Sequence, residues 1–216
     1  LGDFPFDKTK GTLQAKLYAQ KAILQYHPSW PTATQIDANL YLDKRVMLAN
    51  ITQALVNSNP VSDLSIVIKP LGTAKQRLYL KIKDTFNSPK LVDFLMNTPL
   101  KNKLKLLSTM TFNDNVDLDL NLTIPLYENA TNKPVWGAVL FKNNSVNVFS
   151  TPNIKLTSVN GALLFNERGI IHSPLSAKLL SYPLTFSIDN QLSGSKGLLV
   201  LGKGKMSLDK LKKAYD

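Results

Sequence analysis

The chain has 216 residues, of which 44% are hydrophobic and 19% charged, a balance that excludes both a disordered tail and a bundle of membrane helices. The absence of cysteine excludes a disulfide scaffold and a thiolate metal site, and no apolar run approaches the ~20 residues of a membrane-spanning helix. The net charge of +11 comes almost entirely from lysine and favours anionic partners, although dispersed lysines and scattered aromatic residues argue against nucleic acid.

Apolar and polar residues alternate with a period of two in many successive segments, a pattern typical of strands with one buried and one wetted face. Alternation is most regular at 35–42, 64–68, 78–82 and 116–124, and weaker at 134–141, 145–149, 154–165, 176–188 and 198–206. The strands expected to line the apolar face are those at 36–42, 64–68, 78–82, 116–124 and 177–188. Turn-forming residues between these segments predict tight turns at Asp43-Lys44, Asn57–Pro60, Leu71–Thr73, Lys142–Asn144, Asn166–Gly169 and Asn190–Ser195. The chain is therefore predicted to be mainly β, a long curved antiparallel sheet.

One stretch departs from the strand pattern and predicts a helical insertion at 88–109. Ser88-Pro89 and Thr98-Pro99 each provide an N-cap followed by proline, and leucines recur behind them at helical spacing. Two short amphipathic helices are therefore expected near 89–97 and 99–109, at one end of the apolar face. A C-terminal helix is expected over Ser207–Tyr215, with Ser207 as its cap.

Residues that carry chemistry are sparse. His27 and His172 lie far apart with no carboxylate at ligand spacing, so neither a metal site nor a catalytic triad is predicted. Asp117 and Asp119 share a strand face, where a solvated surface explains them better than a catalytic pair. Gly202–Lys205 lacks the spacing of a phosphate-binding loop. We therefore expect no catalytic residues, no metal and no cofactor, and a protein that is not an enzyme.

The apolar sides of the predicted strands form one candidate surface. We expect the following side chains to share it: Ile36, Leu40, Leu42, Leu64, Ile66, Ile68, Leu78, Leu80, Ile82, Val116, Leu118, Leu120, Leu122, Ile124 and Leu179. Such a face can be the closed core of a sandwich or an open trough that shelters acyl chains. The alternation alone favours the closed core, in a structural domain whose basic surface binds an anionic partner.

Several segments, taken in order, resemble one family. They are Asp3–Asp7, Tyr26–Pro31, Asp93–Leu100, Asp117–Leu126 and Val159–Gly169. The series is similar to the central region of the YhdP family, large AsmA-like proteins of Gram-negative bacteria, and it spans nearly the whole chain. On this resemblance we interpret residues 1–216 as a single β-groove segment excised from a larger protein.

The resemblance implies a fold and a function without catalytic residues. It implies the repeating β-groove fold of bridge-like lipid-transfer proteins, a periplasmic body and an inner-membrane anchor outside this sequence. It also implies that phospholipid moves between the inner and outer membranes with its acyl chains in the apolar groove. No nucleic acid is expected as a partner, and the sequence does not indicate an oligomeric state.

Overall fold

The computed structural model describes residues 12–25, 28, 30–57, 59–62, 64–99, 101–102, 104–127, 134–148, 153–190 and 198–215. The strands in these residues are β1 (Gln14–Leu24), β2 (Ala33–Asp43), β3 (Val46–Val56), β4 (Asn59–Val61), β5 (Leu64–Lys69), β6 (Arg77–Asn87), β7 (Met110–Phe112), β8 (Asn115–Pro125), β9 (Val135–Val148), β10 (Ile154–Asn166), β11 (Gly169–Ile170), β12 (Ser173–Leu179), β13 (Tyr182–Asn190) and β14 (Leu198–Gly204). The helices are α1 (Ser88–Met96), a 3₁₀ helix (Lys105–Thr109) and α2 (Leu208–Tyr215).

The strands form one open antiparallel sheet. Its main order is β1-β2-β3-β5-β6-β8-β9-β10-β12-β13-β14, while β4 pairs with β3, β7 with β9 and β11 with β10. Nearly all neighbours along this order are consecutive or nearly consecutive in sequence, as short turns between antiparallel strands require. The prediction of a mainly β fold built on a long antiparallel sheet is confirmed.

The chain divides into two compact units, which are described separately. Unit 1 comprises Leu1–Asp84 and Asp119–Trp136, and unit 2 comprises Thr85–Leu118 and Gly137–Asp216. The interpretation of residues 1–216 as one groove segment stays a prediction.

Unit 1 is built on register that keeps apolar side chains in rows across neighbouring strands. One row runs Leu17–Leu40–Ala49–Ile66–Leu80 from β1 to β6. The adjacent row on the opposite face runs Asn39–Asn50–Ser65–Lys81. Because successive side chains of a strand point to opposite faces, this register separates an apolar face from a polar one.

The turns of unit 1 confirm the turn predictions within the described residues. Lys44 adopts φ 50° between β2 and β3, and Asn57 adopts φ 50° after β3. Gly72 adopts φ 67° in the turn between β5 and β6. β3 itself was not predicted, because register shifts near Gln53 and consecutive apolar residues at its end break the alternation.

Unit 2 contains the predicted helical insertion, with two differences. α1 begins one residue earlier than expected, because the Asn87 side chain accepts a hydrogen bond from the Lys90 backbone N–H at 3.4 Å and acts as the cap. The Ser88 hydroxyl instead donates to the Asp114 carbonyl oxygen. The second predicted helix, 99–109, is shorter and tighter than expected, because it forms a 3₁₀ helix over Lys105–Thr109.

α2 confirms the predicted C-terminal helix. The Ser207 carbonyl accepts a hydrogen bond from the Leu211 N–H at 3.1 Å.

The strands of unit 2 show that one predicted turn and one predicted strand were wrong. Lys142–Asn144 lies inside the continuous strand β9, where Asn143 at φ 59° forms a bulge. The buried Asn144 side chain accepts from the Lys142 N–H at 2.6 Å and donates to the Asn115 carbonyl at 2.7 Å. The segment 177–188 is not one strand but the hairpin β12–β13, which turns at Leu180 and Ser181. The predicted turn at Asn166–Gly169 is confirmed, and Asn190–Ser195 lies largely outside the described residues.

Gly137 shows how closely the elements of unit 2 pack. A Cβ atom at this position would lie 2.1 Å from Cζ of Phe165, a side chain that is itself almost fully buried. Only glycine therefore lets the Phe165 ring lie against β9.

Candidate functional site

All of the side chains predicted to share the apolar face are at least half-buried. The buried ones are Ile36, Leu64, Ile66, Leu78, Val116, Leu118, Leu120, Leu122 and Ile124. The half-buried ones are Leu40, Leu42, Ile68, Leu80, Ile82 and Leu179. Whether any of them binds lipid stays a prediction.

The apolar face of unit 1 changes in burial from one end to the other. Ala38, Ile51 and Leu64, from β2, β3 and β5, are buried, with Ala38 only 2% exposed. Toward the β2–β3 turn the face opens, and Leu42 and Ile68 are half-buried. We call the half-buried residues Leu40, Leu42, Met47, Ile68 and Leu80 the open end of unit 1.

Cationic side chains lie close to the open end. Lys44 is exposed in the β2–β3 turn, while Lys69, at the end of β5, and Arg77, directly opposite it in register, are exposed on the other face of the same sheet end. The guanidinium of Arg45 donates to the Leu71 carbonyl at 3.0 Å, which fixes this turn against the loop after β5. A half-buried apolar surface bordered by cations matches a ligand with an apolar body and an anionic head.

No helix is described among the residues of unit 1, so its apolar face has only strands and turns around it in that part of the chain. At β1, the first strand of the sheet order, Leu17 continues the apolar row and is 60% exposed. The row therefore extends from buried positions in β3 and β5 to solvent at β1.

The apolar face of unit 2 is covered by the chain itself. Leu91 and Leu95 of α1 are buried and line a cavity of about 20 Å³ with Val116, Val139 and Phe141. A neighbouring cavity of about 40 Å³ is lined only by apolar residues, among them Leu107. Volumes this small hold one water molecule or nothing, so this part of the face is closed core.

The opposite face of unit 1 is less polar than the alternation predicts. A row Tyr41–Leu48–Val67–Tyr79 crosses four strands on that side. Lysines lie over its aromatic ends, with Lys16 Nζ 5.7 Å from the Tyr41 ring centroid and Lys69 Nζ 5.5 Å from that of Tyr79. The alternation of apolar and polar residues does not predict this row, although Tyr41 and Tyr79 between apolar neighbours indicate it.

The paired aspartates of β8 take part in different hydrogen bonds. Asp117 accepts hydrogen bonds from Lys142 Nζ at 2.5 Å and from the Thr85 hydroxyl at 2.7 Å. Both hydrogen bonds, and chiefly the one from Lys142, hold the pKa of the Asp117 carboxyl below its ordinary value. Asp119 accepts from the Asn121 side chain at 3.2 Å. The two carboxylates therefore have separate hydrogen-bond partners on this face of β8.

The described residues contain neither a cluster of metal ligands nor a membrane-spanning helix. His172 Nδ1 lies 3.2 Å from an Asp189 carboxylate oxygen on an exposed surface, and His27 lies outside the described residues. Within that part of the chain, no three histidine or acidic side chains come together to hold a metal ion. None of its helices has the length and apolar character required to span a bilayer.

Comparison with known proteins identifies the family but no individual relative. No curated protein and no solved structure matches the chain. The family model described as YhdP protein matches residues 1–216, so the chain belongs to the YhdP family.

Proposed function

We propose that this chain is a lipid-carrying segment of an AsmA-like transport protein, in which the apolar face of unit 1 holds phospholipid acyl chains. The YhdP family suggests lipid transport, and its members are transport proteins rather than enzymes. In the full proposal, phospholipid moves between the inner and outer membranes through the periplasm, and a part of the protein outside this sequence anchors it in the inner membrane. This movement would support the lipid balance of the outer membrane.

The observation that carries the proposal is the in-register apolar row Leu17–Leu40–Ala49–Ile66–Leu80. It crosses five neighbouring strands, and its two ends and Leu40 are not fully buried. Each methylene group that leaves water for such a surface gains about 0.8 kcal/mol. An acyl chain that slides along a continuous apolar strip keeps that gain at every step, so transport along it requires no chemical reaction.

The open end supplies the site for the head group. Lys44 is exposed in the β2–β3 turn beside half-buried Leu42, whereas Lys69 and Arg77 point to the opposite face. A phospholipid with its tails on the apolar face would place its phosphate near Lys44, where a charge-assisted hydrogen bond is strong. Its head group would then remain in water while its tails are sheltered.

Unit 2 takes a different role in this proposal. Its apolar face around Val116 and Phe141 is occupied by Leu91 and Leu95. This arrangement fits the alternative function predicted from the alternation, a structural β domain with a closed core. We therefore place the acyl-chain site in unit 1 and assign unit 2 a supporting role.

Lipid extraction from the purified chain tests the proposal with a matched pair of variants. Ile68 and Val67 are half-buried neighbours on β5 that point to opposite faces. Ile68→Asp should lower the phospholipid recovered per protein, measured by mass spectrometry, about tenfold, because a carboxylate on the apolar face repels acyl chains. Val67→Asp should leave recovery unchanged. Equal recovery from both variants, with circular dichroism unchanged, would count against the acyl-chain site.

Photo-crosslinking keeps the test decisive if the Ile68→Asp variant fails to fold. Benzoylphenylalanine is placed at Leu80 on the apolar face, or at Lys81 on the opposite face of the same strand. Crosslinking to phospholipid is expected at Leu80 and not at Lys81. Crosslinking at neither position, or equally at both, would contradict a site on the apolar face.

A further inference from the structure

Lysines from three elements come together at one end of unit 2. Lys178 of β12 lies beside the Leu180–Ser181 turn, opposite Pro183 in register. Gly204 lies opposite Leu184, so the next residue, Lys205, reaches the same end of the sheet. α2 follows, and its Lys210 Nζ lies 5.2 Å from the ring centroid of Tyr182. With the last turn of α2, these lysines form a surface that we call the basic end: Lys178, Lys205, Lys210, Lys212 and Lys213.

The basic end has little opposing charge in the elements that build it. All of its lysines are exposed. The acidic residues of β12, β13, β14 and α2 are Asp189 and Asp209. Asp189 lies at the far end of β13, where its carboxylate pairs with His172 at 3.2 Å. The positive charge of the basic end is therefore opposed locally by Asp209 of α2, and it projects into solvent.

Apolar side chains are exposed next to these lysines. Leu208, at the start of α2, is 71% exposed. On β14, Leu201 is 59% exposed and lies on the same strand face as Lys203 and Lys205, since alternate residues share a face. An open depression of about 700 Å³ lies along the same strands, lined by Leu201 and Lys203 with Ser176, Thr185 and His172. The surface thus combines a cationic cluster, exposed leucines and space for a polar head group.

We propose that the basic end docks onto the surface of an anionic phospholipid bilayer. The lysines would face the head-group phosphates, and Leu208 and Leu201 would enter the boundary between head groups and acyl chains. This surface lies in unit 2 and does not require acyl chains on the apolar face of unit 1. It is therefore a contact with a membrane surface, separate from the proposed carriage of individual lipids.

The side-chain types favour a bilayer over a nucleic acid or an acidic protein. The cationic residues of the basic end are lysines, and the arginines of the chain lie elsewhere, at Arg45, Arg77 and Arg168. Lysine acts as a mobile point charge and suits a diffuse anionic layer, whereas bidentate recognition of single phosphates or carboxylates favours arginine. Among the side chains that the structure describes in this surface, the aromatic ring of Tyr182 is half-buried beneath Lys210 and is poorly placed to stack on a base.

Flotation with vesicles tests the docking surface on the full chain. The chain should float with vesicles of phosphatidylcholine mixed with phosphatidylglycerol, and not with phosphatidylcholine alone. Replacing Lys210, Lys212 and Lys213 by glutamine should weaken partitioning to the anionic vesicles by about 100-fold, from the contribution of about 1 kcal/mol per lysine near such a surface. Leu208→Ser, which keeps the charge, should weaken it by a smaller factor, about fivefold.

A second triple variant separates the basic end from net charge. Replacing the exposed Lys81, Lys83 and Lys155 by glutamine removes the same charge from other parts of the sheet and should change partitioning little. Equal loss in both triple variants, no flotation even at low salt, or tighter binding to duplex DNA than to anionic vesicles would each overturn the proposal. Ile68→Asp should float normally, so a failure of the acyl-chain site would not be mistaken for a failure of this surface.

Discussion

Two apolar sheet faces with the same alternating pattern end in different surroundings. In unit 2, Leu91 and Leu95 of α1 lie over Val116, Val139 and Phe141, and the remaining cavity is about 20 Å³. In unit 1, the described residues around the apolar face are strands and turns, and its open end is half-buried. Alternation therefore specifies that a face is apolar, whereas its surroundings decide how deeply it is buried. Leu120 and Leu122 of unit 1 are buried without a helix among the described residues of that unit, while its open end is half-buried.

Truncating one leucine on each face gives the largest expected effects. Leu95 is 2% exposed, so Leu95→Ala should lower the free energy of unfolding by about 3 kcal/mol. The substitution removes buried apolar atoms from the core and leaves a cavity in their place. Leu80 is half-buried, so Leu80→Ala should cost only about 1 kcal/mol. Urea denaturation of the two variants and the parent chain measures both values.

The phospholipid recovered from the same two variants provides a second comparison of the two faces. Leu80→Ala is expected to lower phospholipid recovery, since it removes part of the apolar row, while Leu95→Ala should not lower recovery in protein that remains folded. Equal costs in stability, or a loss of lipid in Leu95→Ala alone, would show that the two faces do not differ as their coverings suggest.

The regular strands could be predicted because their alternation is uninterrupted. β8 places Val116, Leu118, Leu120, Leu122 and Ile124 on one face with no bulge, and each of them is buried as the pattern requires. α1 could be predicted in the same way, from proline near its start and leucines at helical spacing. In these elements, local propensity and tertiary packing favour the same structure.

Other elements escaped prediction where tertiary contacts override local pattern. The β12–β13 turn uses Leu180 and Ser181 at φ 51° and 70°, residues that carry no turn signal. Asn144 suggests a turn by composition but is buried and hydrogen-bonded to Asn115 within a strand. The candidate site was predictable as a set of apolar positions. Its division into a covered and a half-buried part was not, because it depends on where α1 packs.

Asp37, on the polar side of unit 1, is expected to have an intermediate effect on the free energy of unfolding. Its carboxylate accepts from the Lys21 backbone N–H on β1 and from the Gln53 side chain on β3, both at 2.8 Å, at the register shift between these strands and β2. Asp37→Ala should lower the free energy of unfolding by about 1 kcal/mol. Hydrogen exchange should also become faster at the Lys21 amide.

The control variant, Asp37→Asn, keeps the size and shape of the Asp37 side chain. Asp37→Asn retains an oxygen that can accept from Lys21, so it should lose less stability than Asp37→Ala and leave the Lys21 amide largely protected. Because Asp37 lies on the face opposite the acyl-chain site, neither variant should alter phospholipid recovery. A loss of lipid in Asp37→Ala at unchanged fold would mean that the bulge, rather than the apolar row, controls the site.

The smallest expected effect tests the polar side of unit 2, through the ion pair between Asp117 and Lys142. Because the pKa of Asp117 is lowered in the folded chain, the ion pair contributes its full stability above the ordinary aspartate pKa, near ~3.9. That contribution is lost as the pH falls through the lowered, folded-state pKa. Asp117→Asn should therefore lower the free energy of unfolding by less than about 1 kcal/mol at neutral pH, and this cost should vanish in strong acid.

Urea titrations of the parent chain and the Asp117→Asn variant at several pH values measure this difference. In the Lys142→Met background, the difference should depend much less on pH. A cost for Asp117→Asn that stays constant from neutral pH into strong acid would show that the hydrogen bond from Thr85, not the charge of Asp117, stabilises this side of unit 2.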